Sequence, residues 1–255
     1  MNDSLYIAAT GMQAQQLSID AIANNLANVS TAGFKKGRVQ FQEMMHAGPA
    51  PAAGTAAAPL GIGIAVGGQV KDFAPGSLTQ TGSAMDLAID GAGFLEVTLA
   101  DGSRGYARGG TLQVSKDGFL AAASGHVLRP AIHIPANVHA ISVAPDGKVT
   151  VQAHEKSAPV EVGQIELANF GNPAALNMVA AGVYAPTEGS GEAVFGRPGT
   201  QGVGRLAQGA LENSNVTLVD EMVTLMVAQR AYEMASKVVQ ASDELMSMTN
   251  NLRRG

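Results

Sequence analysis

Apolar residues repeat with a helical period at both ends of the chain and with a strand period between them. From Leu5 to Val29 one row at seven-residue spacing holds Leu5, Met12, Ile19 and Leu26, and a companion row holds Ala8, Gln15, Ile22 and Val29. All but Gln15 are apolar, which predicts a helix with an a/d seam over nearly four heptads. Asp3 or Ser4 is placed to cap its start, and Gly33 lies where the chain must turn out of it. Such a rod is roughly 40 Å long. Near the C-terminus Ala231, Val238, Leu245 and Leu252 form one row, interleaved with Val227, Met234, Ala241 and Met248. Thr217 followed by Asp220 makes a capping-box-like start, and Glu233 with Lys237 adds a favourable i,i+4 pair. Arg253 and Arg254 suit the negative end of the dipole of a helix about 50 Å long.

Each predicted helix carries apolar or small residues on more than one face. Ile7, Ala14 and Ala21 line a second face of the first. Leu218, Leu225, Tyr232, Val239 and Met246 form a second stripe on the last, and Val219, Met222, Val223 and Met226 a third near its start. Two readings fit this pattern: helices with several helical neighbours, or an ordinary helical domain with a wide apolar face. An amphipathic helix alone is marginal, because nucleation is costly and its stripe stays wet. Asn24, Asn25 and Asn28 lie beside Leu26 and Val29, and Gln229 lies next to Arg230. Amides at inner positions fix register, whereas those on the outer face simply meet water.

Between the helices, Asp90-Gly91, Asp101-Gly102, Asp117-Gly118 and Asp146-Gly147 punctuate short apolar runs, which predicts tight hairpins. Candidate strands are Met85–Ile89, Phe94–Leu99, Leu112–Val114, Ile132–Ile134, Ile141–Val143, Lys148–Val151 and Val160–Phe170. The segment Met44–Val70 has no formal charge and is dominated by Ala, Gly and Pro. It reads either as a flexible linker or as an extended arm that orders only against neighbouring subunits. The resulting class is α+β: discontinuous terminal helices forming a coiled coil, with an inserted all-β domain. The expected division is 1–34 with 216–255 as an inner coiled coil, 35–72 with 206–215 as an extended connection, and 73–205 as an outer β-domain.

Composition narrows the functional classes. Apolar residues make up 46% and charged residues 15%, which fits a folded chain, and a net charge of −5 offers no basic stripe for nucleic acid. Lys35, Lys36 and Arg38 read as solvated charges near a helix end. With no cysteine there is no disulfide framework and no thiolate chemistry. The start lacks a basic leader, and no run is long and apolar enough to suggest an integral membrane protein. His46, His126, His133, His139 and His154 show no metal-ligand spacing, and no cofactor is implied. Gly61 to Gly67 is out of register with a phosphate loop, and no nucleophile elbow is present. The aspartates of the Asp-Gly turns, with Glu96, Glu161 and Glu166 on strand faces, need no catalytic role. A β-region poor in Tyr and Phe suggests no aromatic-lined pocket. An enzyme is therefore not expected.

Residues 22–35, Ile-Ala-Asn-Asn-Leu-Ala-Asn-Val-Ser-Thr-Ala-Gly-Phe-Lys, resemble the N-terminal signature of flagellar rod, hook and hook-associated proteins, with Asn24, Asn25, Asn28, Thr31, Gly33 and Phe34 at the motif positions. The stretches 209–216 and 221–233, including Gln229 and Arg230, resemble their C-terminal end, and Asp86–Phe94 resembles the start of their β-domain. The length is similar to that of the mid-sized rod proteins. The 22–31 run and Pro130–Asn137 resemble the distal rod branch; a proximal rod protein or a short hook-type axial protein is the alternative. This resemblance implies a helical homo-oligomer that spans the periplasm, transmits torque and serves as an export channel. Its implied partners are the proximal rod proteins, the hook protein, the basal-body rings and the flagellar type III export apparatus, with export requiring no cleaved signal peptide. The distal rod branch carries an extra stretch after the first helix, linked to stiffness, and Met44–Gly63 falls there.

Overall fold

The computed structural model describes residues 2–46, 60–153, 158–200 and 202–252. Helix α1 spans Asn2–Ala27, and strands β1 (Gly37–His46) and β2 (Leu60–Lys71) follow. Then come β3 (Leu78–Gln80), β4 (Asp86–Asp90), β5 (Phe94–Thr98), β6 (Arg104–Ala107), β7 (Gly109–Val114), β8 (Leu120–Ala122) and β9 (Val127–Leu128). Strands β10 (Ala140–Val143), β11 (Lys148–Gln152), β12 (Val160–Gln164), β13 (Leu167–Asn169), β14 (Asn177–Ala180) and β15 (Val183–Ala185) continue the middle region. The last elements are β16 (Val194–Gly196), β17 (Arg205–Gln208), β18 (Ala210–Glu212) and helix α2 (Leu218–Leu252). The class is α+β. No helix among the described residues is long and apolar enough to cross a membrane.

The chain divides into two compact units. One gathers α1, the β1–β2 pair and α2; the other holds residues 28–36 and 71–216. In the helical unit α1 packs against α2 and β1. The covered side of α1 is built from small residues, with Ala8, Ala14 and Ala21 buried beside Ile22 and Asn25, so a neighbour can approach its backbone closely. β2 runs equally close to α1: a β-carbon on Gly63 would sit 2.6 Å from the Thr10 hydroxyl.

In the β unit, most strands join one sheet in the order β14-β15-β6-β5-β9-β8-β7-β4-β17, with β13 bridging β5 and β16. β10-β11-β12 form a second sheet and β18-β3 a third. Strands β4 and β5 are buried along nearly their whole length, each through a short apolar run, Leu87-Ala88-Ile89 and Phe94-Leu95 with Val97. Leu87, Ile89, Leu95, Val97, Leu120, Val149, Ile165 and Leu167 form the main core; each large aliphatic contributes on the order of 1.5–3 kcal/mol. The scarce aromatics are concentrated rather than scattered. Phe73, Phe94, Tyr106, Phe170 and Tyr184 stack edge to face at 4.8–5.7 Å in a second buried cluster, so they fill a core.

Several expectations need correction. α1 begins at Asn2, so Asp3 and Ser4 lie inside it, and it ends at Ala27, leaving Val29 in the following turn. The stop is built by Thr31, whose N–H donates to the Asn28 carbonyl at 3.1 Å and whose hydroxyl donates to Asn28 Oδ1 at 3.2 Å. Val160–Phe170 is two strands in different sheets, because β12 pairs β11 whereas β13 pairs β5 and β16. Ile132–Ile134 contributes only the bridge Phe119↔His133. Asp101-Gly102, Asp117-Gly118 and Asp146-Gly147 do close hairpins, β5–β6, β7–β8 and β10–β11. Asp90-Gly91 does not, since β4 and β5 are not neighbours. The flanks of the uncharged segment are strands paired within one chain, not linker, while residues 47–59 lie outside the described residues. So do Arg253 and Arg254.

Candidate assembly interface

The first part of the site is the point where α1 stops. Gly33, at φ 71, turns the chain, and its N–H donates to the Glu212 carbonyl at 2.7 Å. Phe34 then places its ring beneath the Lys71 ammonium, 4.7 Å from the ring centre. Lys35 follows, fully buried; the expected solvated charge is instead one end of an ion pair. Its ammonium donates to Glu212 Oε1 at 2.8 Å and to the Ala74 carbonyl at 2.7 Å. The other carboxylate oxygen of Glu212 accepts from Arg108 Nε at 3.1 Å. Arg108 also donates to the carbonyls of Gly93, at 2.6 Å, and Gly91.

Glu212 thus joins residues 33–35 after α1, residues 74–76 after β2, and the strand that leads towards α2. The Gly76 N–H donates to its Oε1 at 2.9 Å, and a β-carbon on Gly76 would lie 2.1 Å from the Asn213 carbonyl oxygen, so a glycine is required there. Asn215 completes the tie: its Oδ1 accepts from the Lys36 N–H at 2.8 Å and its amide donates to the Asp72 carbonyl at 2.8 Å. Burial lowers the Lys35 pKa, and the hydrogen bond and charge of Glu212 oppose that shift. Burial also lowers Lys71, whose ammonium donates to the Lys35 carbonyl at 3.2 Å. Removing one member of such a cluster strands the others without compensation.

A second polar knot lies in the helical unit. The buried Asn25 accepts from the Gly37 N–H at 2.8 Å and donates to the Gly37 carbonyl at 2.9 Å, clamping the start of β1 to the last turns of α1. The same amide donates to Glu221 Oε2 at 3.2 Å, in the first turns of α2. Asn24 is exposed, and Asn28 belongs to the turn described above. Gln229 and Arg230 are exposed on α2. The motif asparagines therefore differ in role: Asn25 orients elements, while Asn28 with Thr31 ends a helix.

The third part is the surface of α2. Its covered side carries Glu221, Leu225, Ala228, Tyr232, Val239 and Met246, buried or half-buried at heptad spacing. This is the stripe read as secondary in the sequence, although Leu218 at its start remains exposed. The row read as the main seam points away. Val227 is 62% exposed, Met234 67%, Val238 51%, Leu245 60% and Met248 59%. Val219, Met222, Val223 and Met226 add a further exposed apolar patch near the start of the helix. On α1, Leu5, Met12, Ile19 and Leu26 are half-buried, Ile22 is buried, and Tyr6 and Ile7 are exposed. Exposed large apolar side chains in repeated helical register, as on α2, mark an interaction face rather than a solvated one.

Sequence inspection missed Arg108, Lys71 and Glu212 as a unit, because no spacing rule links residues so far apart in the chain. The cue was Glu212 within the 209–216 motif, an acidic residue flanked by Leu211 and Asn213 on a short strand. Among the described residues no group of His, Asp and Glu is placed to hold a metal ion.

Comparison with known proteins covers both ends and the β unit. Residues 5–35 match the family model "Flagella basal body rod protein", residues 88–151 match "Flagellar hook protein FlgE/F/G D1 domain", and residues 207–252 match "Flagellar basal body rod FlgEFG protein C-terminal". The flagellar basal-body rod protein FlgG of Borreliella burgdorferi is 40% identical over 265 residues, covering 100% of both chains. FlgG of Buchnera aphidicola subsp. Baizongia pistaciae is 38% identical over 254 residues, covering 96% of this chain and 98% of its own. The flagellar hook protein FlgE of Brucella suis is 30% identical over 195 residues, 75% of this chain but only 46% of the hook protein.

Proposed function

We propose, because this chain belongs to the flagellar basal-body rod protein FlgG family, that it is the structural subunit of the distal rod and polymerises into a helical tube. In this reading α1 and α2 form coiled-coil contacts with the helices of neighbouring copies on the inside of the tube, and the β unit faces outwards. The tube transmits torque across the periplasm and serves as an export channel. Its ends meet the proximal rod proteins and the hook protein, its wall meets the basal-body rings, and its subunits arrive through the flagellar type III export apparatus. The role is structural rather than catalytic.

The observation that carries this reading is the exposed apolar row Val227, Met234, Val238, Leu245 and Met248 on α2. Covering one such side chain fully contributes on the order of 1.5–3 kcal/mol, and a helix that keeps a wet stripe is stabilised chiefly by finding a partner. Full-length similarity to rod proteins, against similarity to under half of a hook protein, favours rod over hook.

Sedimentation velocity over rising protein concentration tests the reading, with limited proteolysis in parallel. The expected outcome is monomer at low concentration, long polymers at high concentration, and protection of α2 from protease only in the polymer. A chain that stays monomeric at every concentration, with α2 already resistant, contradicts it.

A further inference from the structure

The outward face of α2 is rich in one chemically reactive group. Met222 is 49% exposed, Met226 53%, Met234 67% and Met248 59%. The chain contains no cysteine, so thioethers are its only sulfur, and nothing more nucleophilic competes for a two-electron oxidant. Met222 and Met226 are four residues apart on one face of the helix, and Met234 and Met248 lie in the exposed heptad row with Val227 and Leu245. Met246, one step round the helix, is half-buried on the covered side, and Met12 and Met85 are also half-buried.

We propose that Met222, Met226, Met234 and Met248 are a methionine-oxidation site that sets the redox sensitivity of the unassembled subunit, converting an assembly-competent face into one that cannot assemble. This inference rests on the function proposed above. In the reaction the thioether sulfur attacks one oxygen of a peroxide. The O–O bond breaks, an S–O bond forms, and the second oxygen leaves as water after proton transfer. Sulfur loses two electrons and the peroxide gains them. A flexible apolar side chain thereby becomes a polar sulfoxide with a strong hydrogen-bond acceptor. On a solvated helix face this change is tolerated, so the monomer keeps its fold. At a contact that excludes water, each sulfoxide would be buried without a donor.

Assembly and oxidation therefore oppose one another: once the face is covered, its sulfurs are shielded, and once they are oxidised, the face cannot be covered. Each sulfoxide is expected to raise the critical concentration for polymerisation by about tenfold or more.

The test uses the full chain and hydrogen peroxide as the oxidant. Monomer is treated to completion at the exposed methionines, checked by peptide mass spectrometry, and compared with untreated protein by circular dichroism and sedimentation. The expected result is unchanged melting with loss of polymerisation, and strong protection of Met222, Met226, Met234 and Met248 when peroxide is added after assembly. A variant carrying Met222→Leu, Met226→Leu, Met234→Leu and Met248→Leu should polymerise before and after peroxide, even though exposed Met178 in the β unit still oxidises. Polymerisation of oxidised protein at the untreated critical concentration overturns the inference. Failure of untreated protein to polymerise is a different result, and overturns the assembly reading beneath it.

Discussion

Without the Glu212 carboxylate, Lys35 and Arg108 would both remain buried without their ion-pair partner, and the Gly76 N–H would lose its acceptor. Glu212→Ala should therefore lower stability by about 3–5 kcal/mol, read as a shift in urea midpoint at unchanged slope. A loss under about 1 kcal/mol would mean that water replaces the carboxylate. Tyr184 gives the pH counterpart. Burial pushes its phenol up to about 12 from an ordinary value of 10.0. The folded chain keeps this proton while the unfolded chain loses it, so the contribution is complete below pH 10 and is lost as pH rises towards 12. Thermal melts across that window should show a fall in stability that Tyr184→Phe makes shallower, by about 2 kcal/mol at the alkaline limit. Residue roles were the least legible part of the sequence. Lys35 read as solvated because its local neighbours are polar and basic, and its partner lies on a strand near the other end of the chain. Asn25 was legible only as a member of a motif; its geometry adds the backbone of Gly37 and the side chain of Glu221.

At the level of elements, periodicity located both helices to within a few residues, because a heptad row survives any tertiary context. It did not say which row turns inwards. Two rows on α2 have similar apolar content, and the choice between them depends on α1, which packs against α2 and buries Ala8, Ala14 and Ala21. Asp-Gly pairs revealed hairpins where the flanking strands are sequential neighbours and misled at Asp90-Gly91, where β4 turns to β7 and β17. Short strands such as β16 and β18 gave no signal, having three residues each. The inward and outward rows of α2 lead to separable predictions. Leu245→Asp places a charge on the exposed row and should abolish polymerisation while the melting curve of the monomer is retained, as circular dichroism and sedimentation will show. Ile19→Asp is less selective: Ile19 is already half-covered within one chain, so a charge there should destabilise the α1–α2 packing as well, by roughly several kcal/mol.

For the molecule as a whole, the α+β division was readable from the change of period between the two terminal helices and the strands they flank. The extent of the β unit was not. It includes residues 28–36 from the N-terminal side and β17 and β18 from the C-terminal side, and apolar alternation is silent about such closure. The central claim concerns the exposed row of α2 in the assembled state. A helical reconstruction of polymers by electron cryo-microscopy addresses it directly. The expected density shows Val227, Met234, Val238, Leu245 and Met248 packed against helices of adjacent copies. Polymers in which that row faces open solvent, with copies joined only through their β units, would contradict it.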